Sequence, residues 1–412
     1  MPSPDVPRRP SVLFLTVELP YPPQAGGRIK SWKLVEHLSR RYALTVACPL
    51  KRDDARHVDA MRARAPLADF VAEPQDVPRS ARALARSYVA GVPLNVLRAR
   101  SPTLARRIAA IAPRHALIVS DHYEVFQYIP ATYTGPVVLH AHNAYFMMWQ
   151  RYAETAASPA LRLAAWLEAR RVKHYELAAC ARATRVIAAP NDVATLTAQG
   201  ADPAMFGVTY HLGDDAACDR PPLDRATTEL ALLYVGTLTW EPNVDGLSWF
   251  LDAVWPLLVA RHPTLRLRIA GRGDDPRLRA VAARDPRVEL LGFVDDLEPL
   301  FARSRVLVAP IRVGAGIKVK VLTGLARGIP TVTTTMGAEG VELVSGRHLA
   351  LADTPAEQVA AIDALLTDEA TWTRLSREGR AHVEARYTWP RVVGAFEGEL
   401  EALLAEPSPG TR

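Results

Sequence analysis

Four residues between positions 307 and 340 have the types and spacing of a phosphate-binding site. Gly314 and Gly316 lie in a turn after a short apolar run, and Lys318 and Lys320 follow in the first turns of a helical pattern. Such a turn leaves backbone N–H groups unpaired at the positive end of a helix, where an anion such as a diphosphate can bind. The lysine ammonium groups add point charges to those dipoles. The alternative is an ordinary strand–turn–helix unit whose lysines only keep a helix end soluble.

A second group of candidate residues lies in the first half of the chain. Gly26 and Gly27 open a helical pattern behind the first apolar run, and a glycine pair lets a ligand approach the backbone closely. No third glycine follows, so the spacing is not that of a dinucleotide fingerprint. Asp121 and His122 follow the third run. His142, after the fourth run, can hydrogen-bond a substrate or can be a packing residue.

A parallel sheet must position these residues, because short apolar runs alternate with helical patterns along the chain. We predict two such series, over 1–210 and 229–387, joined by a polar linker rich in Asp and Pro over 211–228. We expect residues 406–412 to be a disordered tail. The predicted strands are Val12–Val17, Leu44–Ala47, Ala116–Ser120, Val137–Ala141 and Arg185–Ala188, then Leu232–Val235, Leu265–Ala270, Val288–Leu291, Val306–Ala309, Thr331–Thr334 and a weak one near His348–Leu351.

Composition indicates a globular protein of more than one domain. The chain has 412 residues, of which 49% are hydrophobic and 23% charged, and no apolar run reaches the roughly 18 residues that span a bilayer. The segment SVLFLTVEL is more typical of a first strand than of a signal peptide, because no small-residue cleavage site follows it. Three widely spaced cysteines predict a reducing cytoplasm, with neither a zinc site nor a disulfide framework.

The net charge of +6 is unevenly distributed. Residues 1–200 contain 27 Lys and Arg against 15 Asp and Glu, and the second half is acidic. The arginines between Arg79 and Arg114 could dock on anionic lipid or on a phosphate-bearing acceptor, which would place the protein at the inner membrane face. Alternatively they form only a solvated face. No nucleic-acid partner is expected.

The ordered motifs of the second half carry a family resemblance. They are LLYVGTLTWEPNVDGLSWF, LRIAGRGDD, VELLGFVDDLEPLFARSRVLVAP, GAGIKVKVLTGLARGIPTVTTTMGAEG and YTW, and the segments PPQAGGRIK and HAHNAYF of the first half are similar to family segments too. The chain resembles the retaining glycosyltransferases of family four (glycosyl transferases group 1). The resemblance implies an α/β fold of the GT-B architecture, with two facing Rossmann-like domains and a cleft between them. It also implies that a final helix, at about 388–405, packs on the first domain.

The implied activity is transfer of a sugar, with retention of configuration, from a UDP-, GDP- or dTDP-type nucleotide sugar. The acceptor would be a glycan, a lipid-linked sugar, a protein or a natural product, held mainly by the first domain. The resemblance implies no metal ion and no cofactor beyond the nucleotide sugar as co-substrate. It assigns the following residues: His142 to catalysis; Gly26, Gly27, Gly314, Gly316, Lys318 and Lys320 to the diphosphate; Gly236, Phe293, Val294 and Thr323 to the nucleoside; and Arg28 and Arg272 to further phosphate contacts.

The sequence departs from the family pattern at four positions. Two glutamates of the family motif are replaced by Ala315 and Thr323, and an Arg and a Lys are replaced by Thr237 and Asn243. A threonine hydroxyl in place of the ribose-binding carboxylate should cost about 1–2 kcal/mol of donor binding, and less for a deoxyribose donor. The departures allow an alternative function: a catalytically impaired GT-B protein that binds a nucleotide or glycan as a partner or scaffold.

Overall fold

The computed structural model describes residues 9–23, 26–75, 77–78, 80–156, 158–210, 215–313 and 317–405. They form two compact units, one from residues up to 210 together with those from 393 onward, and one from the residues between. Gly314, Gly316 and the predicted tail lie outside the described residues. Within the described part of the chain, no helix has both the length and the apolar character needed to cross a bilayer. Cys48, Cys180 and Cys218 are free thiols.

The first unit is built on a seven-stranded sheet in which every pair of neighbouring strands is parallel. The strand order is β3-β2-β1-β4-β5-β6-β7, so the direction of winding reverses between β1 and β4. Ligands bind beside the carboxyl ends of strands at such a reversal. The strands are β1 (Ser11–Thr16), β2 (Ala43–Leu50), β3 (Asp69–Pro74), β4 (Leu117–Asp121), β5 (Val137–His140), β6 (Arg185–Ala188) and β7 (Phe206–Val208).

Helices cover both faces of this sheet, which is why β4 is fully buried along its length. The helix α7 begins after Ser158, whose side chain accepts a hydrogen bond from the backbone N–H of Leu161, with Pro159 at the first helical position. The helices are α1 (Gly26–Arg41), α2 (Val58–Arg62), α3 (Ala81–Val89), α4 (Leu94–Ala99), α5 (Pro102–Ile111), α6 (Tyr145–Thr155), α7 (Pro159–Arg182) and α8 (Pro190–Ala198).

The second unit repeats the design with a six-stranded parallel sheet. Its order is β10-β9-β8-β11-β12-β13, and the winding reverses between β8 and β11. The elements are α9 (Asp215–Cys218), β8 (Glu229–Val235), α10 (Glu241–Ala253), α11 (Trp255–Arg261), β9 (Arg266–Ala270), α12 (Pro276–Arg284), β10 (Val288–Gly292), α13 (Glu298–Arg303), β11 (Ser304–Ala309), α14 (Val319–Arg327), β12 (Thr331–Thr333), β13 (Ala350–Leu351), α15 (Pro355–Thr367) and α16 (Glu369–Arg386).

The last helix, α17 (Trp389–Ala405), begins in the second unit and belongs to the first from residue 393. In the first unit, the Glu397 carboxylate accepts a hydrogen bond from Nε2 of His37 at 2.9 Å and forms an ion pair with Arg41 at 2.8 Å. The fully buried Phe396 meets the ring of His140 edge to face at 5.1 Å between centroids. These contacts attach the C-terminal helix to α1 and to the end of β5.

The predicted α/β fold is confirmed, and each predicted strand corresponds to an observed one. The apolar periodicity over Val244–Leu258 predicts one helix, and this prediction is wrong, because the chain forms two helices, α10 and α11, that meet at Val254. Pro256 is the cause: proline has no N–H to continue the helical ladder and restricts the residue before it. The sequence interpretation also missed β3 and β7.

Candidate functional site

In the first unit, the candidate site is centred on the carboxylate of Asp121. This residue ends β4 and is fully buried. Its Oδ1 accepts hydrogen bonds from Nδ1 of His140 at 2.5 Å and from Nε2 of His142 at 2.8 Å, and its Oδ2 accepts one from Oγ of Ser31. The strand register brings the side chains of Asp121 and His140 together, because the two residues are directly paired where β4 pairs with β5.

The protonation states of this group follow from burial and charge. Burial by itself would raise the pKa of Asp121, but the neighbouring His142 and His140 outweigh it and hold that pKa well below its usual range. Burial, helped by the ammonium of Lys30, lowers the pKa of His140 to about 4. Burial and then the neighbouring His122 lower the pKa of His142. At neutral pH both imidazoles are therefore neutral and donate an N–H to an ionised Asp121.

The start of α1 meets this group directly. His122 has a backbone φ of +106°, which is unusual for a residue with a side chain, and its ring stacks on that of His142 at 3.7 Å between centroids. A Cβ placed on Gly27 would stand 3.7 Å from Nδ1 of His142 and 3.8 Å from Nε2 of His122. The N-terminus of α1, which contains Gly27, thus lies against both imidazoles.

Buried carboxylates of other elements hold the backbone around His142. Glu176 of α7 accepts hydrogen bonds from the N–H groups of Tyr145 and Phe146 at 2.8 and 2.9 Å, so it caps α6 from outside that helix. Asp192 does the same for the N–H of Ala144 at 2.8 Å. Burial raises the pKa of Glu176 to about 8. The segment that carries His142 is therefore fixed by hydrogen bonds at its C-terminal side.

Two basic residues of α1 differ in their environment. Arg28 forms ion pairs with Glu18 at 2.7 Å and with Asp54 at 3.2 Å, so both sides of its guanidinium are engaged within the first unit. Lys30 is 2% exposed, and its Nζ has no hydrogen-bond partner among the residues that the structure describes. Burial lowers the pKa of Lys30 to about 8, against the attraction of Asp121 and Asp192.

One group of the described residues has the composition of a metal site. Asp121, His122 and His142 offer ligand atoms that lie within 4.8 Å of one another. Oδ1 of Asp121 and Nε2 of His142 are already joined by a hydrogen bond, so a metal ion bound through both of these atoms would have to replace it. The absence of a metal requirement remains a prediction.

In the second unit, the candidate site is centred on the ammonium of Lys320, in the first turn of α14. Its Nζ lies 2.9 Å from Oδ1 of Asn243 and 3.1 Å from the hydroxyl of Tyr234, and it stands 4.5 Å above the Tyr234 ring centroid. Both hydrogen-bond partners are neutral. Burial, and then the nearby Lys318, lower the pKa of Lys320 to about 7. Lys318, the residue before α14, has no side-chain capping bond and lies 3.7 Å from Glu339.

Glycines bring the strand-end loops close to Lys320. A Cβ on Gly236, just after β8, would lie 2.5 Å from Nζ of Lys320, so a side chain there would displace the ammonium. A Cβ on Gly271 would lie 1.7 Å from the carbonyl oxygen of Gly236, so only glycine fits. Backbone hydrogen bonds from Gly236 to Ala270 and from Gly271 to Gly292 join the ends of β8, β9 and β10.

The remaining predicted nucleoside and phosphate residues of the second unit lie around the end of β10, after β9 and on α14. Phe293 follows β10 and is 59% exposed, and the guanidinium of Arg272 lies 4.8 Å from its ring centroid. Val294 is half-buried beside Phe293 in the chain, and Thr323 is a half-buried residue of α14. The assignment of Phe293, Val294 and Thr323 to the nucleoside stays a prediction.

The structure also gives contacts that the sequence interpretation did not predict. Ser31 and His140 donate hydrogen bonds to Asp121, and Asn243, which the sequence marked only as a departure from the family pattern, accepts a hydrogen bond from Lys320. One signal was available for His140, because Asp121 and His140 end consecutive strands and a parallel sheet places such residues side by side. The hydrogen bond between Asn243 and Lys320 joins positions 77 residues apart, and no pattern in the sequence predicts it.

Comparison with known proteins gives a family match over part of the chain. Residues 229–368 match the family model described as Glycosyl transferases group 1. A phosphatidyl-myo-inositol mannosyltransferase of Mycobacterium tuberculosis is 32% identical over 170 residues, which are 39% of this chain and 44% of that protein. An uncharacterized 44.6 kDa protein of the cps region of Klebsiella pneumoniae is 28% identical over 129 residues, 30% of this chain and 33% of that protein. The chain thus matches less than half the length of these curated relatives.

Solved structures match nearly the whole chain. Anabaena Alr3699/HepE, crystallised with UDP-glucose, superposes with a TM-score of 0.63 at 15% identity, covering 95% of this chain and 99% of that one. Sucrose-phosphate synthase from Thermosynechococcus elongatus superposes with a TM-score of 0.62 at 16% identity, covering 96% and 100%. At these identities the likeness establishes the fold.

Proposed function

We propose that this chain, whose residues 229–368 belong to the glycosyl transferases of group 1 and whose two units have the GT-B fold, is a hexosyltransferase. It transfers a sugar from a nucleotide-diphosphate sugar to a hydroxyl group of an acceptor. The proposed product is part of a glycan or glycoconjugate. The likeness to proteins named as a mannosyltransferase and a sucrose-phosphate synthase supports this class of reaction.

The observation that carries the proposal is the setting of Lys320. Among the residues that the structure describes, the half-buried Lys320 beside a helix N-terminus has two hydrogen-bond partners, Tyr234 and Asn243, and both are neutral. Its lowered pKa reflects a positive charge that the surrounding protein does not favour. A bound diphosphate would supply the missing negative charge, and the N–H groups of the first turn of α14 would add hydrogen bonds. Lys318 would provide a second cation.

In the proposed reaction, the bond between the anomeric carbon and the leaving phosphate oxygen breaks, and its electron pair goes to that oxygen. The acceptor hydroxyl oxygen forms the new bond on the same face of the sugar, and its proton passes to the leaving diphosphate. The sugar carries oxocarbenium-like charge between these events, so configuration is retained. Lys318, Lys320 and the dipole of α14 would stabilise the departing diphosphate without a metal ion.

His142 is proposed to position the transferred sugar. Its imidazole is neutral at neutral pH, and its orientation is fixed by the bond to Asp121 and the stack on His122. A neutral, oriented imidazole can exchange a hydrogen bond with a sugar hydroxyl without adding a charge beside the developing cation. Gly26 and Gly27 would leave the start of α1 accessible to the diphosphate.

The donor nucleotide is proposed from position 323. Thr323 offers one hydroxyl group where the family carboxylate would bind the ribose. A donor of the dTDP type has no 2′-hydroxyl, so its binding affinity is reduced least by this replacement. The donor to compare with a dTDP-sugar first is a UDP-sugar, because the Anabaena neighbour was crystallised with UDP-glucose. A GDP-sugar is the third candidate. Phe293 and Val294 would border the base.

The experiment that tests this function has two steps. Thermal unfolding is measured with UDP, GDP and dTDP, and the best ligand then defines the nucleotide sugar used in a donor hydrolysis and transfer assay. We expect one nucleotide to raise the melting temperature and its sugar conjugate to be hydrolysed slowly in the absence of acceptor. Failure of all three nucleotides to bind would contradict the proposal.

Thr237 and Thr323 favour one alternative, a GT-B protein that binds a nucleotide but has lost transfer. Each stands where the family has a charged side chain that contacts the donor. Tight nucleotide binding without donor hydrolysis, and without transfer to any acceptor extract, would establish this alternative. Hydrolysis that is lost in His142→Ala would exclude it.

We also propose that the first unit docks on the cytoplasmic face of an anionic membrane. Leu161, Leu163 and Trp166 of α7 are 49%, 58% and 47% exposed, and the guanidinium of Arg170 lies 4.9 Å from the Trp166 ring centroid. Exposed apolar side chains among arginines suit an anionic bilayer surface. Co-flotation with anionic vesicles should fall in Leu163→Ser but not in Leu257→Ser, an exposed leucine of the second unit; equal loss in both would contradict this.

A further inference from the structure

One hydroxyl group of α1 contacts the carboxylate that orients His142. Ser31 is 2% exposed, and its Oγ lies within hydrogen-bonding distance of two acceptors, the carbonyl oxygen of Gly27 at 3.1 Å and Oδ2 of Asp121. A hydroxyl has one proton to donate, and a carboxylate is a stronger acceptor than a neutral carbonyl. The proton therefore goes to Asp121, and the bond joins α1 to the end of β4, 90 residues further along the chain.

The two oxygen atoms of the Asp121 carboxylate have different donors. His140 and His142 donate to Oδ1, whereas Ser31 donates to Oδ2. The last torsion of an aspartate side chain is soft, and donors on both oxygens hold the carboxylate against rotation. The position of Oδ1, and with it the direction of the two imidazole N–H groups, therefore depends on the hydroxyl of Ser31.

The stack on His122 constrains His142 in a different way from its hydrogen bond. The two rings lie 3.7 Å apart between centroids with 24° between their planes, so the stack fixes the plane of the His142 imidazole. A stacked ring can still rotate within its own plane. The hydrogen bond from Nε2 of His142 to Oδ1 of Asp121, at 2.8 Å, opposes that rotation. A carboxylate that is free to turn would therefore loosen the orientation of His142.

A serine inside a helix often has only a local role, in which its hydroxyl bonds back to a carbonyl of the preceding turn. Ser39 of the same helix is such a case, because it is fully buried and donates to the carbonyl oxygen of Glu36 at 3.1 Å. Ser31 has a similar contact with Gly27 and, in addition, the contact with Asp121. The burial of Ser31 also keeps it from touching a substrate, so its effect on a reaction has to pass through the carboxylate.

We propose that Ser31 is a positioning residue for sugar transfer: through Asp121, its hydroxyl holds the imidazole of His142 in the orientation that meets the transferred sugar. The inference rests on the proposed transferase function, from which the role of His142 comes. It deepens that function, because it makes the geometry of His142 depend on α1, the helix that begins at the glycines predicted to bind the diphosphate.

The first test reads this geometry without an activity assay. The full chain is labelled isotopically in histidine, and the imidazole N–H of His142 is observed by NMR at neutral pH as the signal that is absent from His142→Ala. We expect this signal to move, or to be lost by exchange with water, in Ser31→Ala and to stay in place in the matched control Ser39→Ala. An unchanged signal in Ser31→Ala, an equal change in both serine variants, or a wild-type signal already lost by exchange would overturn the inference.

The second test measures transfer. In Ser31→Ala, kcat should fall about 5- to 20-fold while the KM of the donor stays within about a factor of two, because the contacts to the diphosphate are kept. Adding Ser31→Ala to His142→Ala should cause no further loss, since Ser31 acts through that imidazole. A raised KM with unchanged kcat, or losses that multiply in the double variant, would overturn the inference.

Two provisions keep these tests decisive. Ser31→Cys, which keeps the size of the side chain and donates only weakly, replaces Ser31→Ala in both measurements if the alanine variant does not fold. The NMR result also separates this inference from the proposed function. A His142 signal that moves in a chain without transfer activity would leave Ser31 orienting His142 and remove the transferase proposal, whereas transfer with an unmoved signal would do the reverse.

Discussion

The two units handle buried charge in opposite ways at the same place in the fold. In the first unit, the negative charge of Asp121 is surrounded by hydrogen bonds from His140, His142 and Ser31. In the second unit, the positive charge of Lys320 has neutral partners. Both groups lie beside the strands between which the winding of a parallel sheet reverses.

The charge of Asp121 is stabilised by the protein alone, whereas the charge of Lys320 would be stabilised by a bound anion. The chain itself stabilises the charge of Asp121, so that group can hold imidazoles in fixed orientations. Burial disfavours the charge of Lys320 in the ligand-free chain, and the proposed diphosphate would be the anion that stabilises it. The following substitutions test the comparison, from the largest expected effect to the smallest.

Asp121→Ala should have the largest effect, because it removes the acceptor that orients two buried imidazoles and the charge that faces Lys30. We expect the free energy of unfolding of the first unit, measured by urea denaturation, to fall by about 3–5 kcal/mol. The pKa of Asp121 is lower in the folded chain than its unfolded value of about 3.9. Its contribution is therefore present above that value and lost as the pH falls through the folded pKa. Equal stability of variant and wild type at pH 7 would refute the comparison.

His142→Ala should lower turnover by about 100-fold while nucleotide affinity stays within a factor of two, because the imidazole acts on the sugar and not on the diphosphate. The exposed His174→Ala of the same unit is the control. Steady-state kinetics and calorimetry on both variants make the measurement. Unchanged turnover would return His142 to a purely structural role.

Lys320→Met should weaken nucleoside-diphosphate binding by about 10- to 100-fold, since a charge-assisted hydrogen bond to phosphate is lost. Lys318→Met should act in the same direction. Lys173→Met, a lysine of the first unit that bonds Gln199, serves as the control. If all three variants bind equally well, the diphosphate is bound elsewhere.

Thr323→Glu should improve the affinity of UDP by about 5- to 30-fold and that of dTDP by less, because the new carboxylate can accept hydrogen bonds from both ribose hydroxyls. Competition between the two nucleotides against a common donor gives the ratio. The conservative variant Thr323→Ser should leave that ratio near the wild-type value. A larger gain for dTDP than for UDP would exclude the ribose assignment.

The smallest effect expected is on the pH dependence of binding. The pKa of Lys320 is about 7 in the ligand-free chain, so its ammonium is progressively lost as the pH rises above 7. Nucleoside-diphosphate affinity should then fall by at most about tenfold between pH 7.5 and 8.5, where the phosphate stays ionised. Lys320→Met should show a flat profile over the same range. If affinity depends on pH in the same way in the wild type and in Lys320→Met, the titration of Lys320 is not linked to nucleotide binding.

The sequence predicted much of the fold, because parallel strands buried on both faces are continuous apolar runs. It missed β3 and β7, the two edge strands of the first sheet, because their residues are partly exposed and interrupted by charge or glycine. A glycine after a helical pattern predicts a helix end, and Gly328 ends α14 with a left-handed φ of +83°.

The sites were harder to predict than the fold. Lys318, Lys320 and His142 could be named from motifs, whereas the group around Asp121 joins three segments of the chain: α1, the end of β4 and the end of β5. No local pattern indicates that Ser31 and His140 share one carboxylate, or that the bond from Asn243 holds Lys320. Such contacts follow from strand register and helix docking, which a single sequence specifies only through the whole fold.

The central claim is that a nucleoside diphosphate binds at the N-terminus of α14. A crystal structure of the chain with the best-binding nucleoside diphosphate tests it most directly. We predict a phosphate oxygen within hydrogen-bonding distance of Nζ of Lys320 and of the backbone N–H groups that begin α14. A diphosphate bound elsewhere, with Nζ of Lys320 still held only by Tyr234 and Asn243, would contradict the account.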